Sequence, residues 1–368
     1  MSIDETLSQS IEQLGEPAVL ATGGLLIGLL FGLFAQRSRF CMRAAVVESS
    51  MGTLGEKTAV WLLAFGMAVL GVQSLVLMGL LDAQASRWMS GPASVSGALI
   101  GGLVFGVGMV LTRGCPSRLI VLSSNGNLRA LLCGLIFAVV AQATIAGPLA
   151  PLRALANSMW AMDPGPMRSL LARWGLGSEM GLLVGLALLA LAALVALRSG
   201  TRKPWLWAGG LGVGLTVVAA WGFSQWVARH SFEPLQVHGL TFSAPSAQWL
   251  MRVLQSPAPE IGFEFGLVPG VALGALLGGL LGRELKLEGF HDGHSMRRYI
   301  AGAIFMGFGA VTAGGCALGA GVTGGSVFAL SAWLSLLGMW SGATIMHLML
   351  DGKSLMSGSA GQQASAAT

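Results

Sequence analysis

Three of the four cysteines lie at expected breaks in or beside long apolar runs, where a thiol can do chemistry. They are Cys41, Cys115 between Gly114 and Pro116, and Cys316 after Gly314 and Gly315. An ionised thiol in such a place is a nucleophile or a redox centre. A neutral thiol is a soft, weak hydrogen-bond donor. The fourth cysteine, Cys133, lies within a plain apolar run, where we interpret it as a small packing residue.

Both kinds of thiol chemistry stay open at this point. Thiolates would repel an anion in a channel of low dielectric constant, whereas neutral thiols would attract it weakly and release it easily. A transport pathway needs sites of that second kind, firm enough to enter and weak enough to leave. Neutral thiols would suit an anion that carries sulfur. The alternative is a redox protein in which two of the cysteines cycle through a disulfide.

The residues around the cysteines favour an anion. Pro116 suits the first position of a helix, which would place Cys115 at a helix N-terminus, where free N–H groups and the dipole attract negative charge. Arg113 and Arg118 flank it, and charges near membrane depth usually pair or serve a function. Their alternative role is the ordinary positive fringe of a membrane span. The candidate substrate pathway comprises Cys41, Cys115, Cys316, Arg113, Gly114, Pro116, Arg118, Gly314 and Gly315.

An internal repeat relates two of the cysteines. One offset of 201 residues matches Gly101, Gly106, Gly108, Gly114 and Cys115 to Gly302, Gly307, Gly309, Gly315 and Cys316. It also aligns Asn125 with Ser326, where the outgoing helix would need a cap. A second match, at an offset of 246, brings Gly24, Gly28 and Gly32 onto Gly270, Gly274 and Gly278. In the predicted topology the Cys115 and Cys316 loops approach from opposite sides, as in an inverted repeat, whereas the two glycine-rich spans run the same way, so a single operator cannot relate both pairs. Either the first-span match is coincidental or a segment near Cys41 does not cross the membrane.

The composition indicates an integral membrane protein. Hydrophobic residues make up 54% of the 368 residues, charged residues only 10%, and the mean hydropathy is +0.73, whereas soluble domains carry about 25% charged residues. The cysteine spacings argue against a zinc site and a disulfide framework. No basic-aromatic patch for nucleic acid is present, and we predict no metal and no cofactor.

We predict an all-α membrane protein with about nine transmembrane helices, internally repeated halves and inward, cysteine-bearing loops, because a span needs about 20 mostly apolar residues. Residues 1–16 form an extramembrane N-terminal segment. Residues 17–350 form a single transport domain with halves at about 17–203 and 204–350. We expect extramembrane loops at Arg153–Glu179 and Arg229–Glu264, and a disordered tail at 351–368.

The loop charges predict the orientation. With the N-terminus outside and the C-terminus inside, fifteen of the 21 Lys and Arg residues fall in inside loops. They are Arg37, Arg39, Arg43, Lys57, Arg113, Arg118, Arg129, Arg198, Arg202, Lys203, Arg283, Lys286, Arg297, Arg298 and Lys353.

The three cysteine motifs resemble those of the YeeE/YedE family of bacterial inner-membrane thiosulfate uptake proteins. The segments that carry the resemblance are Arg37–Cys41, Arg113–Pro116 and Gly314–Gly319. The resemblance implies a membrane fold narrowed at its middle by inward loops, with Cys41, Cys115 and Cys316 along the path. It also implies a separate, small sulfurtransferase-like partner.

We therefore expect a multi-pass protein of the bacterial inner membrane, surrounded by lipid, with a periplasmic N-terminus and a cytoplasmic C-terminus. We expect it to import thiosulfate without chemical change and not to be an enzyme. The alternatives are a membrane redox protein that uses a cysteine pair, a transporter of another sulfur or selenium oxyanion, and a scaffold for sulfur-handling partners.

Overall fold

The computed structural model describes residues 15–200, 203–231, 236–254, 256, 262–289 and 293–365. The α-helices are α1 (Glu16–Ser38), α2 (Met42–Ser50), α3 (Glu56–Leu77), α4 (Arg87–Ser90), α5 (Val95–Leu111), α6 (Pro116–Ser124), α7 (Leu128–Ala146), α8 (Ala150–Ser158), α9 (Leu170–Arg173), α10 (Ser178–Arg198), α11 (Pro204–His230), α12 (Ser243–Leu254), α13 (Phe263–Gly282), α14 (Gly293–Thr312) and α15 (Leu330–Ser365). A π-helix spans Ala317–Gly324, a 3₁₀ turn spans Pro166–Arg168, and the strands β1 (Ala93–Ser94) and β2 (Ala161–Met162) pair antiparallel.

Nine segments of the described chain are long and apolar enough to cross a membrane, as predicted. Six are single helices: α3, α7, α10, α11, α13 and the part of α15 up to Leu350. The other three are broken in the middle. Each of these joins a long helix to a short one through a cysteine: α1 to α2, α5 to α6, and α14 to the π-helix. The protein is therefore an all-α, multi-pass membrane protein.

Helices α1 and α13 run parallel and pack through glycines, which lets the two backbones approach closely. A Cβ at Gly28 would lie 2.5 Å from Leu267 O and 3.1 Å from Val271 N, and a Cβ at Gly270 would meet the backbone of Leu25. The glycines of each helix therefore face the backbone of the other helix. The repeat relation at an offset of 246 stays a prediction.

Helices α5 and α14 run antiparallel and meet in a reciprocal contact. Gly108 faces Gly302, with a Cβ at Gly108 only 2.6 Å from Gly302 O, and Gly101 faces Gly309, with a Cβ at Gly309 2.7 Å from Gly101 O. The offset of 201 matches Gly101 to Gly302 and Gly108 to Gly309. Each glycine of α5 therefore packs on the α14 glycine that matches the other one. Such a contact is self-complementary, as in a two-fold interface. The two cysteine repeats therefore lie in opposite directions across the membrane, as expected for an inverted repeat.

We call the side at which α1 begins the N-terminal face and the other side the C-terminal face. Helices α1 and α5 run from the N-terminal to the C-terminal face, whereas α14 runs back. The long helices that lead to Cys41 and Cys115 therefore run in one direction across the membrane, and the long helix that leads to Cys316 runs in the opposite direction. Since the same plan of long helix, cysteine, short helix and outgoing helix occurs three times, the Cys41 segment is a third unit.

One expected surface loop is part of the interior. Within Arg229–Glu264, residues 236–242 form an extended segment whose Leu240 and Phe242 side chains are fully buried. The ring of Phe242 lies 5.3 Å from that of Phe31 on α1, and Leu240 O accepts a hydrogen bond from Thr323 Oγ1 of the π-helix at 2.7 Å. The polar residues and prolines around this segment concealed a short apolar core that packs between two spans.

The boundaries at residues 16, 203 and 350 stay predictions. The backbone of α15 continues to Ser365, and residues 366–368, like 1–14, lie outside the described residues. The disordered tail therefore also remains a prediction.

Candidate functional site

The three cysteines occupy the same kind of turn. The residue two positions before each cysteine adopts the left-handed conformation, with φ of 54° at Arg39, 60° at Arg113 and 81° at Gly314. Such a residue ends a helix and lets its last carbonyls be satisfied. At Arg39 and Arg113 a side chain with a Cβ takes this position, which costs about 1–2 kcal/mol relative to glycine. The turn is therefore maintained by its surroundings.

Each cysteine then begins the next short helix from an extended backbone. Pro116 is in the first turn of α6, as predicted, and Cys115 Sγ lies 3.3 Å from Ser117 Oγ. Cys316 Sγ accepts the N–H of Gly319 at 3.5 Å, so this sulfur caps the π-helix. The predicted helix N-terminus at Cys115 is confirmed, and the same arrangement holds at the other two cysteines.

The predicted caps of the outgoing helices were wrong. Asn125 ends α6, and it is Asn127 whose side chain accepts the N–H of Ala130 and caps α7. Ser326 donates to Thr323 O at the end of the π-helix, and the next helix begins at Leu330. The predicted cap positions precede the starts of the outgoing helices by a few residues. A turn with a left-handed residue, Gly126 in the first case and Phe328 in the second, separates each short helix from the outgoing helix.

The turns converge on a shared region. Cys41 and Cys316 both lie close enough to Cys115 to act on it electrostatically, although they are reached from opposite faces. Cys115 and Cys316 are 2% and 1% exposed, whereas Cys41 is partly exposed. Cys133 is also fully buried, on α7, where the charge acting on it is that of Arg129. Three of the four thiols thus share one neighbourhood, and Cys133 packs in a helix beside it.

Arginines from the first two turns extend toward the C-terminal face. Arg118 Nη1 donates to Gln36 Oε1 at 3.3 Å, and Gln36 Nε2 donates to Glu284 Oε2 at 2.7 Å. Arg39 forms an ion pair with Glu284 at 3.1 Å. Arg118 is half-buried and lies within electrostatic range of both Cys41 and Cys115. The predicted Arg118 is therefore placed beside two thiols, with its charge only indirectly linked to a carboxylate.

Arg113 is more exposed than Arg118 and lies beside Tyr299. It is exposed, and its guanidinium lies 6.0 Å from the centre of the Tyr299 ring, beside that of Arg129 at 4.9 Å. Arg129 Nη1 also donates to Thr112 O at 2.7 Å, which braces the end of α5. Gly114, the next residue of the turn, is buried. Arg113 contributes positive charge to the C-terminal face, while its backbone forms the turn.

A second charged cluster lies beside Cys316 on the N-terminal face. Arg87, in α4, donates a hydrogen bond to Gly314 O, and the ring of the adjacent Trp88 lies 3.6 Å from where a Cβ on Gly314 would be. Burial lowers the pKa of Arg87, while Glu264 and Cys316 oppose that shift. Burial also lowers the pKa of His238, again opposed by Glu264. Gly315, the next residue of this turn, is buried against the π-helix backbone.

Arg87 was missed from the sequence, where it is one arginine in an outside loop. No spacing links it to Cys316, because 229 residues separate them along the chain. Within the described residues, no group of three His, Cys, Asp or Glu side chains could hold a metal ion.

Comparison with known proteins places the chain in a family. A family model described as sulphur transport matches residues 37–345, which include all three cysteine turns. The thiosulfate transporter TsuA of Spirochaeta thermophila is 30% identical over 349 residues, covering 88% of this chain and 98% of that protein. The thiosulfate transporter TsuA of Escherichia coli is 25% identical over 348 residues, covering 88% and 94%. The chain therefore belongs to the sulphur-transport family, as the YeeE/YedE-like motifs predicted.

Proposed function

We propose that this protein imports thiosulfate across the bacterial inner membrane along a pathway that passes Cys41, Cys115 and Cys316. The observation that carries the proposal is the convergence of three buried or half-buried thiols, from opposite faces, at breaks in membrane-spanning helices. Irregular backbone at membrane depth is tolerated where it is enclosed by protein or lines a polar cavity. The names of the two TsuA relatives support thiosulfate as the substrate.

The thiols would act as neutral, soft contacts and not as nucleophiles. A thiolate would repel the anion in this enclosed pathway, so transport requires neutral thiols at Cys115 and Cys316. They can donate S–H···S and S–H···O contacts to a sulfur oxyanion, and the free N–H groups of the short helices add partial positive charge. No covalent bond to sulfur forms, and the anion leaves unchanged. The protein would accordingly act as a transporter and not as an enzyme.

The loop charges support a periplasmic N-terminal face and a cytoplasmic C-terminal face. On this orientation an incoming anion meets the Cys316 turn first. It then passes Cys115 and Cys41, where Arg118 lies within electrostatic range of both sulfurs. Since Cys115 and Cys316 are nearly sealed in this structure, passage requires the packing around them to open.

Moving a dianion inward has an electrical cost that a passive pathway does not remove. Moving one elementary charge costs about 2.3 kcal/mol per 100 mV. Moving the two charges of thiosulfate inward against an inside-negative potential of about 100 mV therefore costs about 4.6 kcal/mol. At equilibrium, free thiosulfate inside would be about 2,000-fold below that outside. Net import therefore needs co-transported cations or removal of the anion inside. A separate, sulfurtransferase-like protein at the cytoplasmic face would supply that removal.

The test is uptake of thiosulfate labelled in its outer sulfur by the purified protein in liposomes. We expect uptake above that of empty liposomes, and we expect the internal label to be recovered as thiosulfate. A tenfold excess of unlabelled sulfate should compete poorly, because sulfate has the same charge but no terminal sulfur for the thiols. Selenite and sulfite in the same assay measure the selectivity among related oxyanions.

The membrane potential provides a second measurement in the same liposomes. A potassium gradient with valinomycin sets the interior positive or negative. Uncoupled movement of the dianion would be faster with a positive interior, whereas coupling to two cations would make uptake insensitive. Failure of the protein to raise uptake in either condition would contradict the proposal, as would recovery of the label as another sulfur species.

A further inference from the structure

The Cys316 turn obtains its positive charge from elsewhere in the chain. In the first repeat, Arg113 and Arg118 flank the cysteine, but the aligned positions of the second repeat are Gly314 and Gly319. No arginine is present between Gly314 and Gly319. The guanidinium that contacts this turn is that of Arg87, which donates to Gly314 O, the carbonyl of the left-handed residue before Cys316.

Arg87 is held in place from several sides. Its guanidinium lies 5.3 Å from the centre of the Trp88 ring. The preceding residue, Ser86, forms a parallel bridge with Val237, at the start of the extended segment that packs on the π-helix. The arginine is half-buried, so part of its surface remains open. It is therefore a positioned cation and not a freely moving surface side chain.

The charge of Arg87 has no direct counterion in the part of the chain that the structure describes. The ion pairs found there join Arg39 to Glu284 and Lys57 to Glu56. Glu264 acts on Arg87 only at longer range. A guanidinium has five N–H donors, and the bond to Gly314 O uses one of them. A partly buried charge without a paired anion is costly, which points to an anion that arrives from outside the protein.

Arg168 provides the contrast on the same face. It is 2% exposed, and its guanidinium donates to four backbone carbonyls, those of Asp163, Met89, Gly91 and Met162. Its donors are used within the fold, which makes it a structural residue that braces the loop. Arg87 makes one such bond, beside a cysteine, and retains donors for a ligand.

Given the proposed function, on which this inference rests, we propose that Arg87 binds the substrate oxyanion at the Cys316 end of the pathway. A planar guanidinium matches the oxygens of a divalent oxyanion, with which it forms charge-assisted hydrogen bonds. The oxygens of thiosulfate would face Arg87, and its terminal sulfur would be left for the Cys316 thiol. Arg87 and Cys316 would then form the first binding site, and Glu264 would moderate its affinity so that the anion can leave.

The test compares Arg87→Gln, Arg87→Lys and Arg173→Gln in the liposome uptake assay. Arg173 is exposed and lies between the same two spans as Arg168, so its variant controls for general loss of charge on this face. We expect Arg87→Gln to raise the KM for thiosulfate at least tenfold, and Arg87→Lys, which keeps the charge but loses the planar fork, to raise it less. Arg173→Gln should leave the KM within twofold.

The outcomes separate this inference from the proposed function. If the unaltered protein transports thiosulfate but Arg87→Gln has an unchanged KM, or lowers only the maximal rate, Arg87 supports the turn and does not bind the anion. An equal rise in KM for Arg173→Gln would reduce the effect to general surface charge and would also overturn the inference. Absence of uptake by the unaltered protein contradicts the proposed function itself.

A measurement on the unaltered protein avoids dependence on the folding of a variant. A dicarbonyl reagent modifies accessible arginines, and the modified positions are found by mass spectrometry. Thiosulfate should protect Arg87 relative to Arg173, whereas sodium chloride at equal ionic strength should not. Equal modification of Arg87 with and without thiosulfate would show that the anion does not occupy this site.

Discussion

Replacing Cys115 with alanine is expected to reduce thiosulfate uptake by about 10- to 100-fold while leaving the protein folded. Cys115 is the thiol on which both Cys41 and Cys316 act, so it occupies the middle of the proposed pathway. A hydrogen bond to a charged group is worth about 1.5–3 kcal/mol, and each 1.4 kcal/mol is a factor of about ten. Without the Cys115 contact, the free-energy barrier for the anion to move between Cys316 and Cys41 rises by about 1.5–3 kcal/mol.

The measurement is the initial rate of labelled thiosulfate uptake in liposomes with equal amounts of inserted protein. Cys133→Ala is the matched control, because Cys133 is fully buried like Cys115 but is acted on by Arg129 and not by the other thiols. Cys41→Ala and Cys316→Ala test the remaining two contacts. Normal uptake in all three pathway variants would remove the thiols from the mechanism and leave the helix termini and arginines to carry the anion.

The same set of variants tests the redox alternative. A protein that works through a disulfide would lose all activity when either member of the pair is replaced, and oxidant would crosslink Cys115 to Cys316 or to Cys41. Transport through neutral thiols predicts that treatment with a mild reductant leaves uptake unchanged. Loss of uptake on reduction, with recovery on oxidation, would favour the disulfide cycle.

Replacing Gly108 with alanine is expected to destabilise the protein by about 3 kcal/mol, because there is no room for a methyl group at the α5–α14 crossing. The new Cβ would lie 2.5 Å from Met306 N and 2.6 Å from Gly302 O, and both are backbone atoms that no side-chain rotation can move. The helices would have to separate. Since α5 and α14 lead into Cys115 and Cys316, separation would also displace the two turns and lower uptake.

The control for this variant is Gly134→Ala on α7, where a Cβ meets no other atom within 4 Å. Alanine is favoured over glycine within a helix by about 1 kcal/mol in both places, so the difference between the two variants measures the crossing alone. The readout is the melting temperature in detergent, with the yield of monodisperse protein. A melting temperature for Gly108→Ala equal to that of Gly134→Ala would mean that the crossing is looser than described.

The features that the sequence alone determined are those encoded by neighbouring residues. Apolar length predicts each span, and a span is apolar because its side chains face lipid or other helices. Gly114 and Pro116 around Cys115 predict the break and the helix that starts there, because proline and glycine restrict or free the backbone locally. The order of the predicted spans also predicted that the Cys115 and Cys316 loops approach from opposite sides.

What only the tertiary structure decided is which distant residues meet. Glycines four apart leave the register of α1 against α13 undetermined by one turn, and packing against the backbones of Leu267 and Val271 chooses it. Burial of Leu240 and Phe242 turns an expected surface loop into part of the interior. Arg87 donates to Gly314 O, although 227 positions separate the two residues in the sequence. These contacts depend on the three-dimensional path of the chain. The packing of whole helices decides which distant residues meet, and the neighbours of a residue in the sequence do not encode that packing.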